Sequence, residues 1–150
     1  MINILNQILT YLSELKEDNG YSFDYTVNPK YNPERDISFY SNDSFPIIGV
    51  EPNAEITKLD ENSEYSSGTG GSVVYTTDWK IYVFPLIGED WFANYSVITD
   101  DLFKLVNKYC SLNNKAISWQ ITSINDESND QESVYKVYIY TIKITFEMEY

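Results

Sequence analysis

Residues 134–150 read VYKVYIYTIKITFEMEY, and this stretch decides the fold. Every even position from Tyr138 to Tyr150 is apolar or aromatic, whereas the odd positions change to threonine and charged residues from Thr141 onward. Because successive side chains of a strand point to opposite faces of a sheet, the pattern predicts one long strand with a continuous dry face. Its second half has a polar opposite face, as expected for an antiparallel sheet covered on one side by helices.

The first half of this strand is apolar on both faces, so its outer side has to be covered by a loop or by another subunit. The outer side of a second long strand, predicted over 73–86, also has to be covered. One of its faces carries Trp79, Ile81 and Val83, and the other also carries apolar side chains. These two apolar strand surfaces are the first candidates for interfaces.

The other elements follow from apolar periodicity. Residues 2–15 have apolar side chains at helical spacing, and Asn19-Gly20 terminates the predicted helix. A second helix is predicted over 96–109, with Asp100 and Asp101 in its first turn and a buried stripe that includes Leu102, Phe103, Leu105, Val106 and Tyr109. Further strands are predicted over 21–27, 36–40, 45–50 and 116–124; Pro46 limits the third of these four to an edge or a strand start.

These elements predict a single α+β domain over 1–150. Its mostly antiparallel sheet of four to five strands packs against the N-terminal helix and the helix near 96–109. Residues 52–72 are acidic and then rich in serine and glycine, which predicts a long loop or hairpin. The N-terminus lacks the basic region and cleavage site of a signal peptide, and no apolar run reaches the length of a membrane span.

Composition removes most catalytic chemistry. The chain has 23 acidic and 10 basic residues, a net charge of −13, one cysteine (Cys110) and no histidine. Without histidine there is no imidazole base or ligand, and one thiol cannot form a structural zinc site. The acidity disfavours binding to a nucleic-acid backbone. We therefore predict no catalytic residues, no metal and no cofactor.

Two alternatives remain open at this stage. A carbohydrate- or peptide-binding module would use a sheet face rich in tyrosine and tryptophan, with Trp79, Trp91 and Trp119 available. A hydrolase would use two carboxylates alone. Residues 126–130 have the oxygen-rich composition of a calcium loop but lack its twelve-residue pattern with a central glycine.

Four segments together resemble the tail terminator (tail completion) proteins of tailed bacteriophages and phage-tail-like particles. They are SFPIIGV at 44–50, WKIYVF at 79–84, the acidic-capped helix 99–108 and ISWQITSINDE at 117–127, followed by the closing strand that ends ITFEMEY at 144–150. The resemblance covers most of the chain from Phe45 onward. It rests on topology and hydrophobic pattern and not on a chemical motif.

The resemblance implies a non-catalytic virion protein of the tail or neck, present in the host cytoplasm during assembly. Such proteins form a ring, commonly a hexamer, that caps the tail tube and docks to a head-completion, neck or connector protein. DNA passes through the lumen without specific binding, and no membrane is involved. An acidic wall suits that passage because it repels phosphate.

On this interpretation the chain needs two different contact surfaces, since the contacts that close a ring join unlike patches. One surface is predicted on the strand 73–86 and the other on the C-terminal strand. A partner or the lumen is expected to face the long loop. The predicted subunit contacts are Val74, Tyr82, Phe84, Tyr135, Val137 and Ile139, and the predicted loop residues are Asp60, Glu61, Glu64 and Tyr65.

Overall fold

A computed structural model of the chain describes residues 2–28, 44–58, 72–85, 91–109, 118–126 and 137–149. The predicted α+β class is confirmed, with two helices, a short 3₁₀ helix and a six-stranded, mostly antiparallel sheet in these ranges. In chain order the elements are α1 (Ile2–Leu12), the 3₁₀ helix (Glu17–Asn19), β1 (Thr26–Asn28), β2 (Ile47–Glu51), β3 (Thr57–Lys58), β4 (Ser72–Phe84), α2 (Trp91–Lys108), β5 (Ser118–Asp126) and β6 (Tyr138–Glu149).

The C-terminal strand lies inside the sheet, whose order is β1-β2-β4-β6-β5, with β3 pairing separately with β4. β6 pairs antiparallel with β4 from Tyr138↔Val83 to Glu149↔Ser72, and β5 pairs along its other side. Only β1 and β2 run parallel within the described sheet. β2 begins directly after Pro46, at Ile47, as the proline predicts.

Both helices pack on one face of the sheet, which we call the inner face. The predicted dry row of β6 is confirmed there, since Tyr140, Ile142 and Ile144 are fully buried. They pack in one core with residues of β2, β4, β5 and both helices: Ile48, Val50, Trp79, Ile81, Val83, Trp119, Ile8, Leu12, Ile98, Leu102 and Leu105. A β-bulge between Ile121 and Ser123 changes which residues of β5 face the core. As a result, Ile124 also packs against the inner face.

The predicted start of the second helix is wrong, because α2 begins at Trp91 and not at residue 96. Its buried side includes Asn94 and Asp101 together with Ile98 and Leu102. Asn94 interrupts the apolar stripe before residue 96, so apolar periodicity begins the predicted helix too late. Asp101 consequently lies in the middle of the helix and not in its first turn.

The prediction that Phe103 belongs to the buried stripe is also wrong, because its side chain is 40% exposed. Neighbouring residues of a helix are separated by about 100° around its axis. Phe103 is therefore turned well away from Leu102, at the border of the buried stripe, whereas Leu105 and Val106 are buried as predicted. The exposure of this aromatic ring becomes important for the surface beside β5.

Residues 21–25 do not form the predicted strand, because side chains of other elements satisfy their polar groups. The Asp101 carboxylate accepts hydrogen bonds from the Ser22 backbone N–H (3.1 Å to Oδ2), the Ser22 hydroxyl (3.2 Å) and the Tyr25 hydroxyl (2.8 Å). Lys16 Nζ donates to the Tyr25 carbonyl at 2.6 Å. Such side-chain bonds compete with strand pairing, and the strand is limited to Thr26–Asn28.

Gly20 ends the 3₁₀ helix in the left-handed conformation, with φ of +91°. A Cβ at this position would lie 3.3 Å from Lys104 Nζ, the flexible end of a side chain that donates to the Gly20 carbonyl. We expect Gly20→Ala to lower the free energy of unfolding by about 1 kcal/mol, because a side chain is strained at positive φ. Urea denaturation measures the change, with the exposed Asp18→Ala as control. Equal stability of the two variants would contradict the assigned backbone conformation.

Stability is expected to fall at high pH because of Tyr25. Burial, followed by the nearby Asp101 carboxylate, raises the pKa of the Tyr25 phenol well above its ordinary range. The folded chain therefore keeps a proton that the unfolded chain loses near pH 10. This stabilisation is complete below pH 10 and is lost as pH rises, by up to about 1.4 kcal/mol per pH unit. In urea denaturation between pH 9 and 11.5, Tyr25→Phe should show a shallower decline. An unchanged slope would show that Tyr25 does not cause it.

Candidate interaction surfaces

The two apolar strand surfaces predicted from the sequence form one patch. β4 and β6 are neighbours, and their register places Tyr82 opposite Ile139 on the outer face of the sheet, away from the helices. Phe84 lies one step along the same face, opposite Ile47 of β2. Apart from Val74, the predicted contact residues of these strands that the structure describes therefore lie in one patch and not on two separate surfaces. We call this group the outer patch: Phe45, Ile47, Tyr82, Phe84, Val137 and Ile139.

Much of the outer patch is already buried within a single chain. Phe45, Ile47 and Phe84 form a small second core, against which Tyr82 and Val137 pack. Phe84 is 2% and Ile139 is 4% exposed, so these two predicted contact residues belong to the interior of a single chain. Tyr82 and Val137 are half-buried, which leaves part of each side chain at the surface.

Val74 is also half-buried, but it lies apart from the outer patch. It is paired with Glu147, eight positions before Tyr82 along β4. Eight residues of strand span about 26 Å. Tyr135 and the loop residues Asp60, Glu61, Glu64 and Tyr65 lie outside the described residues.

The outer face becomes polar between these two regions. Asp78 of β4 is paired with Lys143 of β6, and Lys80 of β4 is paired with Glu51 of β2. Opposite charges at paired positions stabilise neighbouring strands modestly. The change from apolar to polar side chains predicted for the odd positions of the C-terminal strand is therefore present across the sheet, and it limits the outer patch to one end.

A groove of about 450 Å³ lies between α2 and β5, at the side of the sheet where β5 is the last strand. Phe103, Val106 and Asn107 line it from α2, and residues 118–121 line it from β5. None of these lining residues is charged. Apolar periodicity places Phe103 in the core, so the sequence alone does not predict this surface.

Aromatic contacts fix the wall of this groove. The indole N–H of Trp119 donates to the Tyr109 carbonyl, and the Tyr109 ring stacks on Tyr11 with ring centroids 4.0 Å apart. The Tyr109 hydroxyl donates to Glu14 Oε1 at 2.7 Å, and this bond raises the pKa of Tyr109. The end of α2 is therefore held by contacts to both α1 and β5. These contacts fix the position of one wall of the groove.

The aromatic residues do not form an exposed platform at the two positions where tryptophan is described. Trp79 is 1% and Trp119 is 2% exposed, so neither can stack on a sugar. Within the described ranges the Trp79 indole N–H has no hydrogen-bond partner. A carbohydrate-binding face would therefore need other residues.

The described pocket that two acidic residues line is also too small for a sugar site. Glu55 and Asp78 line a polar pocket of about 150 Å³ with Asn53 and Thr77. The Thr77 hydroxyl already donates to the Glu55 carbonyl at 2.7 Å. Ligand sites enclose about 300–1,000 Å³, so this pocket is small for a sugar ring. No group of three or more metal-binding side chains occurs in the described ranges.

Comparison with protein families and with curated protein sequences provides no further assignment. The chain matches no protein-family model, and no curated protein sequence matches it. Neither described helix is long and apolar enough to cross a membrane.

Proposed function

We propose that this chain is a virion structural protein, a tail terminator or neck ring subunit that caps the tail tube and helps to join the tail to the head. It works by forming interfaces, without catalytic turnover. The observation that carries the proposal is the one-sided sheet: within the described residues both helices cover the inner face, while the outer face presents Tyr82 and Val137 at an apolar end.

The contact residues follow from burial. Tyr82 and Val137 offer part of their surface to a partner, and the buried Phe84 and Ile139 lie beside them on the same face of the sheet. A half-exposed tyrosine on a packed apolar base is typical of residues that dominate protein interfaces. Val74 is a separate contact point at the far end of β4. The partners are other copies of the chain, the tail tube protein, and a head-completion or connector protein.

The charge supports the same function. A net charge of −13 repels phosphate, which favours free passage of DNA and disfavours a fixed complex with it. The same charge opposes association between copies, so contacts between subunits have to use surfaces with few charges. On this proposal the protein works in the tail or neck of the virion and assembles in the host cytoplasm.

Sedimentation velocity and tube binding test the proposal together. We expect the purified chain either to form a ring-sized oligomer or to bind tail tubes assembled from the tube protein of the same particle. Bovine serum albumin at equal concentration is the control for nonspecific binding. A chain that stays monomeric at high concentration and binds neither the tube nor a neck protein would overturn the proposal.

A further inference from the structure

The dipeptide Asn19-Gly20, where the 3₁₀ helix ends, carries a chemical reactivity of its own. It is the one place in the sequence where glycine follows asparagine, and both residues are exposed. In such a pair the backbone nitrogen of the glycine can attack the asparagine side chain, because glycine has no side chain to hinder the approach. By its sequence context, Asn19 is therefore the asparagine of this chain that is most open to spontaneous deamidation.

Deamidation of Asn19 consumes only water. The Gly20 nitrogen loses its proton and bonds to Cγ of Asn19, the Cγ–Nδ2 bond breaks, and the amide group leaves as ammonia. Water then opens the resulting cyclic imide at either of its carbonyl groups. Position 19 is left as an aspartate or an isoaspartate, whose carboxyl group is ionised at neutral pH, so the chain becomes more acidic.

The folded structure holds both reacting groups. Nδ2 of Asn19 donates to the Glu14 carbonyl at 2.9 Å. The Gly20 N–H, whose proton has to be lost, donates to the Glu17 carbonyl at 3.0 Å. Lys104 Nζ reaches from α2 and donates to the Gly20 carbonyl at 3.0 Å. The turn therefore has to open before Asn19 can react, and local opening of a folded chain costs free energy.

Asp24 stabilises this turn from the segment that follows it. Its Oδ1 accepts a hydrogen bond from the Glu17 backbone N–H at 2.8 Å, at the first residue of the 3₁₀ helix. Asp18 lies within the same helix, is exposed like Asp24 and takes part in none of these bonds. The two acids therefore differ in their contact with the turn while their charge and exposure are alike.

We propose that Asn19 is a deamidation site controlled by folding: the intact turn protects it, and opening of the turn exposes it to irreversible modification. The product does not restore the turn, because a carboxylate has no proton to donate to the Glu14 carbonyl. It also adds a negative charge beside Glu17 and Asp18. Chains that open or fold slowly accumulate the modification, whereas chains that stay folded keep the amide. This behaviour does not depend on the proposed function.

Peptide mapping by mass spectrometry tests the proposal on the full chain. Samples are kept at mildly alkaline pH, either folded in buffer or unfolded in guanidinium chloride, and the deamidated fraction at position 19 is followed with time. We expect deamidation to be about 30-fold slower in the folded chain, which corresponds to about 2 kcal/mol for the two hydrogen bonds that hold Asn19 and Gly20. Equal rates would overturn the protection by the turn, and an unmodified Asn19 in the unfolded chain would overturn the site itself.

Two variants examine the turn in the folded chain, each normalised to its own rate in guanidinium chloride. Asp24→Ala removes the acceptor of the Glu17 N–H and should speed deamidation about fivefold, which corresponds to about 1 kcal/mol for one hydrogen bond. Asp18→Ala removes the same charge, leaves the bonds in place and should change the rate less than about twofold. Thermal melting checks that both variants are folded. If Asp24→Ala reacts no faster than Asp18→Ala, this turn does not control the modification.

Discussion

Replacing Asp101 with alanine is expected to lower the free energy of unfolding by about 3 kcal/mol, because buried donors that lose their acceptor cost about 1–3 kcal/mol each. The carboxylate is 5% exposed and accepts three hydrogen bonds from Ser22 and Tyr25. The Tyr25 hydroxyl is fully enclosed and cannot turn to water, whereas the Ser22 groups are partly exposed and recover some of the loss. The variant should also loosen residues 21–25, which lead into β1.

Asp100→Ala is the matched control for this change. It removes the same charge from the preceding residue of α2, but its side chain is exposed. Surface substitutions of this kind usually change stability by less than about 0.5 kcal/mol. Urea denaturation at neutral pH compares the two variants. If Asp101→Ala lowers the free energy of unfolding no more than Asp100→Ala does, Asp101 does not anchor the segment that leads into the sheet.

Replacing Tyr82 with alanine is expected to weaken association with the partner about 30-fold, which corresponds to the roughly 2 kcal/mol typical of a dominant interface residue. Tyr82 lies opposite Ile139, and both Tyr82 and Val137 pack on the second core. On the proposed function, truncation removes an aromatic contact with the partner, while the buried residues of the second core keep their side chains. Binding to tail tubes, measured as a Kd, reports the loss.

Lys80→Ala is the control, because Lys80 is exposed two residues earlier on the same face of β4. We expect its effect on binding to be below about threefold, as for residues at the rim of an interface. Thermal melting of both variants separates loss of binding from loss of fold. A Tyr82→Ala chain that is folded and binds like the parent would exclude the outer patch as the contact with the tube.

The strands β4 and β6 are easier to predict from the sequence than the segment 21–25, and their residues show why. The rows of β4 and β6 alternate without interruption over their buried length, so that strand type, buried face and class all follow from the period of two. Residues 21–25 have the same alternation, yet Asp101 binds their polar groups from a helix 76 residues later in the chain. A local pattern contains no information on such a distant bond.

The contact surfaces were predictable only in part, for a related reason. Ile139 is buried on the outer side of β6, in agreement with its apolar odd position, whereas Val137 is only half-buried. Which strand lies beside β6 depends on the topology, and the pairing of Tyr82 with Ile139 merged two expected patches into one. The groove depends on Phe103, whose angular position on α2 places it at the border of the buried stripe and decides its exposure.

Negative-stain electron microscopy of the chain mixed with tail tubes tests the central claim most directly. The tubes are assembled from the tube protein of the same particle, and tubes without the chain are the control. We expect a ring-shaped density at one end of each tube, absent from the control, with ring formation reduced by Tyr82→Ala and unchanged by Lys80→Ala. Tubes with bare ends at saturating protein, and no rings in the background, would contradict the claim that this chain is a ring subunit that caps the tail.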